Sequence, residues 1–317
     1  MPSGPTSAVR QQGIASMTDQ GTIELVANEL FLLGGVELID ERLSYYPSET
    51  FGKYVPYNCY LLRSGGESLL IESGAASHHP VIRAQLQGLV RGSDEFRRLV
   101  VTRNEPECNS NIPNLVRDFG IGAVHSLPMM SSLQYFPANA KEFLAAGFDA
   151  SSNELQMMDF GVRCIPVEEG ERILLGGEAR LEPFPTPLRV LPTNWFYDRR
   201  TRTLFCSDVF CGRVSDTPSV RTNSEILAED EMTATMLNDL SRKFDWLSRG
   251  YLTDITETLE NYFMERKIDI LAPTRGNPIV GSDAVDANLR ALISALKLLN
   301  VGVRPGPVGE PAAAVVR

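Results

Sequence analysis

The chain has 317 residues, 43% of them hydrophobic and 22% charged, a balance that suits a folded globular protein. Its formal net charge of −10 excludes nucleic acid as the main partner, because a phosphate backbone calls for clustered lysine and arginine. No run approaches the roughly 18 consecutive apolar residues of a membrane helix, and the five cysteines are widely spaced, so no membrane partner is expected and reduced thiols point to a cytoplasmic location.

Residues 1–22 are rich in Ser, Gln, Gly and Pro and read as a disordered leader. Residues 301–317, with repeated Gly, Pro and Ala, read as a flexible tail, leaving 23–300 as a single domain. Ile23–Val26 and Leu30–Leu33 form a strand pair. Asn58–Leu62 and Ser68–Glu72 form a hairpin, since Arg63-Ser64-Gly65-Gly66-Glu67 is turn chemistry between apolar runs. His79–Leu89 is helical by pattern and Arg98–Val101 is a buried strand. A helix over Ile112–Asp118, capped at Asn109 or Ser110, a strand at Gly122–His125 and a helix at Ala138–Ala146 follow.

The second half repeats the order. Strands are predicted at Val162–Val167, Arg172–Leu175, Ala179–Phe184, Asn194–Tyr197 and Thr203–Cys206, then helices at Glu231–Trp246 and Leu252–Arg266. Ile268–Leu271 reads as a short strand and Asp283–Leu299 as a closing amphipathic helix. Two strand-rich halves, each followed by helices, predict an α/β fold of the four-layer αββα type rather than a doubly wound sheet. Arg199-Arg200-Thr201-Arg202, the densest basic group, reads as a solvated hairpin tip.

Chemistry is expected just after the strand Arg98–Val101, where α/β folds place it and where Arg103, Glu105, Glu107 and Cys108 crowd together. A second acid, Asp208, stands between Cys206 and Cys211. Several stretches carry a resemblance. Asn58-Cys59-Tyr60-Leu61-Leu62 and Leu70-Ile71-Glu72-Ser73-Gly74 are similar to an opening hairpin and its Asp-Thr-Gly turn. Residues 103–110 resemble His-x-Glu-x-Asp-His-x-Gly. Leu204-Phe205-Cys206-Ser207-Asp208-Val209-Phe210-Cys211-Gly212 resembles Leu-Phe-Ser-x-Asp-x-Phe-Gly, and Ile270-Leu271-Ala272-Pro273-Thr274-Arg275-Gly276 resembles Ile-x-Ala-Pro-Ser-His-Gly. Together, over roughly residues 23 to 282, they resemble the metallo-β-lactamase superfamily, most closely the lactamase-type domain of flavodiiron proteins and their oxygen-binding di-iron relatives.

The resemblance implies a metallo-β-lactamase-type sandwich and a di-metal site, but its four ligand histidines fall on Arg103, Cys108, Arg189 or Val190, and Arg275. The three histidines present, His78, His79 and His125, lie off the motifs and read as surface or cap residues. Guanidinium stays protonated and offers only donors, so arginine is no metal ligand. Without metals, Glu105, Glu107 and Asp208 would be crowded, partly buried carboxylates that need a cation or a proton. Arg103, Arg189 and Arg275 are therefore expected to supply the positive charge and to bind an anionic or carbonyl-bearing small molecule. Cys108 beside them would have a lowered pKa and serve as nucleophile or redox sensor.

Three function classes remain: a metal-free binding, regulatory or scaffold protein; an enzyme working without metal or with FMN from a partner; and an oxidoreductase or hydrolase with iron or zinc on Glu105, Glu107, Cys108 and Asp208. The first is preferred, with no cofactor expected; should the chain be an enzyme, the resemblance implies an oxidoreductase before a hydrolase. It also implies a homodimer and a redox partner protein, with Tyr45, Tyr46, Phe51, Tyr54, Tyr57 and Trp195 lining either the pocket mouth or an interface.

Overall fold

The computed structural model describes residues 21–126 and 162–300 apart from 44, 45, 91, 93, 94, 169, 213 and 220, with the short strands Ser16–Met17 and Gln156–Met157 and with Gly302 in addition. The helix expected at Ala138–Ala146 and the tail, Gly302 excepted, lie outside the described residues. Within the stretch read as a leader, Ser16–Met17 (β1) pairs antiparallel with Ile23–Val26 (β2), and Thr22 is buried.

The next strands are β3 (Leu30–Leu38), β4 (Tyr54–Ser64), β5 (Glu67–Ile71), β6 (Glu95–Val100), β7 (Ala123–Ser126), β8 (Gln156–Met157) and β9 (Val162–Pro166). They form a nine-stranded sheet in the order β1-β2-β3-β4-β5-β6-β7-β9-β8, antiparallel through β5, parallel across β5-β6-β7-β9, and antiparallel again at the β9–β8 edge. The parallel pairs need crossovers, and the helix α1 (His79–Leu89) and then α2 (Pro106–Asn109) with α3 (Ile112–Phe119) lie on two of them. A second, six-stranded sheet follows in sequence order: β10 (Ile173–Leu175), β11 (Glu178–Pro185), β12 (Asn194–Asp198), β13 (Thr203–Phe205), β14 (Ile270–Ala272) and β15 (Ile279–Val280). Its outer face carries α4 (Glu229–Lys243), α5 (Thr253–Met264) and α6 (Ser282–Leu299).

Strand alternation assigns the layers. Leu30 and Leu32 of β3 face one way and meet Leu175, Leu181, Phe196 and Phe205 between the sheets, while Phe31 and Leu33 face α1 and α3. A third apolar layer joins the second sheet to α4–α6. The result is the four-layer αββα sandwich.

Boundaries moved where tertiary contacts intervene. β3 and β4 extend to Leu38 and from Tyr54, since their pairing runs on to the end of both strands. The last strand of the predicted set starts at Ile270 because Asp269 and Ile270 both donate to the Arg202 carbonyl. The predicted helix to Trp246 breaks at Phe244 into a 3-10 turn over Asp245–Arg249. α3 is not capped by Asn109 or Ser110; Asn111 holds the N-cap position without a side-chain cap bond, because Pro106 starts a separate turn ahead of it.

Candidate functional site

Four loops leave the strand ends together. β13 and β14 run parallel with Phe205 opposite Ala272, so Ser207–Asp208 and Thr274–Arg275 emerge side by side, and the Thr274 N–H donates to the Ser207 carbonyl at 2.6 Å. The loop after β6 is tied to the second sheet by the Asn194 N–H, which donates to the Thr102 carbonyl at 2.9 Å. Asn58 of β4 donates from its amide to the Pro273 and Gly276 carbonyls at 2.9 and 2.7 Å, which fixes the Arg275 loop. The Asp208 turn is itself strained: Ser207 and Phe210 both have left-handed φ, 56° and 64°.

On this frame the three arginines point inward. Arg103 is 1% exposed, and its guanidinium lies 3.0 Å from Glu105, 2.5 Å from Glu107 and 3.7 Å from Asp208. Arg189 bridges Glu105 and Asp208 with its two terminal nitrogens, and Arg275 lies 3.2 Å from Glu107. Of the two candidates for the third histidine position, Arg189 is the one turned in; Val190 is 77% exposed. Three guanidiniums thus face three carboxylates and their charges cancel. Burial opposes the charge on Arg103, but Asp208, then Cys108, Glu107 and Glu105 outweigh it and hold the guanidinium well above its ordinary value. Arg275, where burial dominates, is pushed down to about 9.

A fourth acid, Glu72, was not among the sequence candidates. It is fully buried at the end of β5 with φ 64°, and accepts from the Thr102 hydroxyl. That hydroxyl lies 2.8 Å from the Ser207 hydroxyl, which accepts from Arg103 at 2.5 Å. The Thr102 hydroxyl thus sits between Glu72 and Ser207 as donor to both, and Ser207 accepts from Thr102 and from Arg103. Burial pushes the Glu72 carboxyl up to about 7, against Thr102, Arg103 and Cys108, which favour its charge. The Glu-Ser-Gly turn was the signal that could have found it. Lys243 of α4, also missed, donates to the Asp208 carbonyl at 3.3 Å and pairs with Asp239 at 2.9 Å.

Cys108 corrects an expectation. Its thiol is fully buried, and burial pushes its pKa well above the ordinary value despite Arg103 beside it, so it is not the reactive thiolate that the neighbouring arginines suggest. The histidines are also more engaged than surface residues. His78, at the N-cap of α1, is 3.0 Å from Glu37, and His79 is 2.9 Å from Asp118. Burial first, then Arg98 and Arg163, pushes His125 down to about 4. Among the aromatics, Trp195 is core, whereas Tyr57 walls a cavity of about 300 Å³ with Glu37, Arg42, Leu43, Pro106 and Glu107.

The donor chemistry does not suit a pair of metal ions. Each of Glu105, Glu107 and Asp208 is already paired with guanidinium, a cation that cannot itself serve as a metal ligand. Among the described residues, no group of three or more His, Cys, Asp or Glu side chains is arranged to hold a metal.

The model of the ODP family beta lactamase matches residues 55–241, more than half of the chain. The chain belongs to this family. No curated protein matches it. Its fold is similar to that of rubredoxin oxygen:oxidoreductase from Desulfovibrio gigas, with a TM-score of 0.62 and 13% identity over 86% of this chain and 61% of that one. The flavodiiron protein from Giardia intestinalis aligns with a TM-score of 0.59 and 14% identity over 93% and 61% of the two chains. A flavoprotein from Thermotoga maritima gives 0.56 and 19% over 85% and 59%. This member of the ODP family therefore spans about three-fifths of each of these solved chains.

Proposed function

We propose that this chain is a lactamase-type domain without a di-metal centre, which works as a ligand-binding or regulatory protein rather than as an oxygen-reducing enzyme. The observation that carries the reading is the pairing of Arg103, Arg189 and Arg275 with Glu105, Glu107 and Asp208, three cations for three anions. A metal pair would bring about four positive charges to the same acids. Guanidiniums already pair with these carboxylates and would repel any further cation.

The ligand sits in the cavity of about 300 Å³ that Tyr57, Glu37, Arg42 and Glu107 bound, with Glu107 joining it to the buried cluster. That volume suits a small molecule. Because the arginines are spoken for, an anion would have to displace Glu105 or Glu107 to reach them, so the cavity wall and not the guanidiniums makes the first contacts. A cytoplasmic homodimer fits this reading. Cys59, Cys108, Cys206 and Cys211 are buried free thiols, which supports a reducing compartment.

Metal analysis of protein made in iron- and zinc-supplemented medium tests the proposal, and well under about one equivalent per chain is expected. Stoichiometric metal that disappears on Asp208→Ala would overturn it. The converse variant, with Arg103, Cys108, Arg189 and Arg275 all replaced by His, is expected to take up metal where the native chain does not.

A further inference from the structure

The turn between β12 and β13, the densest basic stretch of the sequence, is not the loose tip that its composition suggests. Fully buried Asp198 receives the Arg180 guanidinium through two bonds of 2.8 and 2.7 Å and the Thr201 hydroxyl at 2.6 Å. It also accepts the backbone N–H groups of Arg200 and Thr201 at 3.4 and 3.2 Å. Arg202 takes a left-handed φ of 53°, and its carbonyl accepts the Asp269 N–H at 2.8 Å. A turn tied down in this way sends its arginines in set directions. Arg200 turns to Glu29 and Glu178. Arg199 and Arg202 instead meet the end of α5 and, with Tyr197, Glu265, Arg266 and Lys267, bound a cavity of about 340 Å³.

The charges around this cavity do not balance. Glu182 alone is shared by Arg172 at 3.1 Å, Arg199 at 3.3 Å and Arg266. Asp269 takes Arg202 at 3.0 Å, and Glu265 reaches Arg266 at 3.3 Å. Five cations, counting Lys267, stand against three carboxylates on a chain whose net charge is −10. The carbonyl end of α5 offsets about half a charge, and Arg266 already donates to the Tyr262 carbonyl there at 3.2 Å. More than one positive charge is left over. The side chains of Arg199 and Arg202 are 63% and 44% exposed, so their guanidiniums remain open to solvent.

We infer that this cavity is a second binding site, for a small anion of the phosphate or polycarboxylate class carrying two or more charges. It lies at the far end of β12 from Asn194, the residue that holds the loop of the arginine–carboxylate cluster. The surplus of guanidinium donors supplies paired bonds to planar or tetrahedral oxyanions, which the buried arginines, already paired, do not. A single-charge anion gains less, because it leaves part of the surplus unmet.

Titration calorimetry with pyrophosphate and with inorganic phosphate, on the full chain, tests the assignment. Saturable binding of one pyrophosphate per chain, tighter than phosphate and weaker at high salt, is expected. The double change Arg199→Gln with Arg202→Gln should weaken it by at least about tenfold. Arg200→Gln removes one positive charge from the same turn, as Arg199→Gln alone does, but faces away, and should change it less than about twofold. Should the double variant fail to fold, Arg199→Gln alone, at a mostly exposed side chain, is expected to show a severalfold loss. No saturable binding by the native chain would overturn the assignment, as would an Arg200→Gln effect equal to that of the double variant, which would mark mere overall charge.

Discussion

At Asp208, a side chain 5% exposed and bonded to Arg189, the balance of the cluster hangs on one carboxylate. Removing one partner of a buried ion pair leaves an uncompensated charge, which costs about 3–5 kcal/mol, whereas replacing the whole set by apolar groups is often neutral. Asp208→Ala is therefore expected to lower the urea midpoint sharply, and a second change, Arg189→Met, should return part of the loss. Equal or additive losses would show that the two side chains do not act as a pair. Glu72 sets a pH dependence with a definite sign. Its folded value is raised to about 7 against an ordinary 4.5, so the folded state holds a proton that the unfolded chain has released. The stability from this proton is full below about pH 4.5 and is lost as pH rises through 7, on the order of 3 kcal/mol in all. Chemical denaturation at a series of pH values should show this fall in the native protein and not in Glu72→Gln. A stability difference between the two that is flat over the same range would refute the assignment.

At the level of elements, the β3–β4 pair carries the site from behind. Gly34 has φ 135° and lies so close to β4 that a Cβ would sit 1.9 Å from the Tyr57 carbonyl oxygen. Tyr57 is bridged to Arg275, and Asn58 holds the Arg275 loop, so any shift here reaches the cluster. Gly34→Ala is expected to cost about 3 kcal/mol or more, read as a drop in melting temperature or as loss of soluble protein. The elements themselves were largely legible in the sequence. The unbroken apolar run Leu30–Leu33 follows from burying both faces of a strand, and the apolar period of Asp283–Leu299 from burying one face of a helix, and both are local requirements. What was not legible was set by contacts far along the chain. The edge strand Ile279–Val280 exists because β14 and Asn223 receive its backbone bonds, the Pro106–Asn109 turn closes on the Glu105 carbonyl within four residues, and no pattern of period 2 or 3.6 announces a two- or four-residue element.

For the whole molecule, three apolar layers lie between four layers of secondary structure, and folding rests on that layered core. Chelator treatment is accordingly expected to leave the melting temperature unchanged. A fall of several degrees would reveal a metal bound to the native state, by mass action. The sequence by itself determined the layered α/β fold and the family, and it placed Arg103, Cys108 and Arg275 at three of the motif positions, because these depend on residue type and spacing along the chain. Only the tertiary structure decided which of Arg189 and Val190 turns inward, that Cys108 is sealed from water, that Glu72 joins the cluster through two hydroxyls, and that Arg199 and Arg202 open onto a cavity while Arg200 does not. Those outcomes depend on direction and on depth from solvent, which are properties of strands brought together across long stretches of chain, and a linear order of residues carries neither.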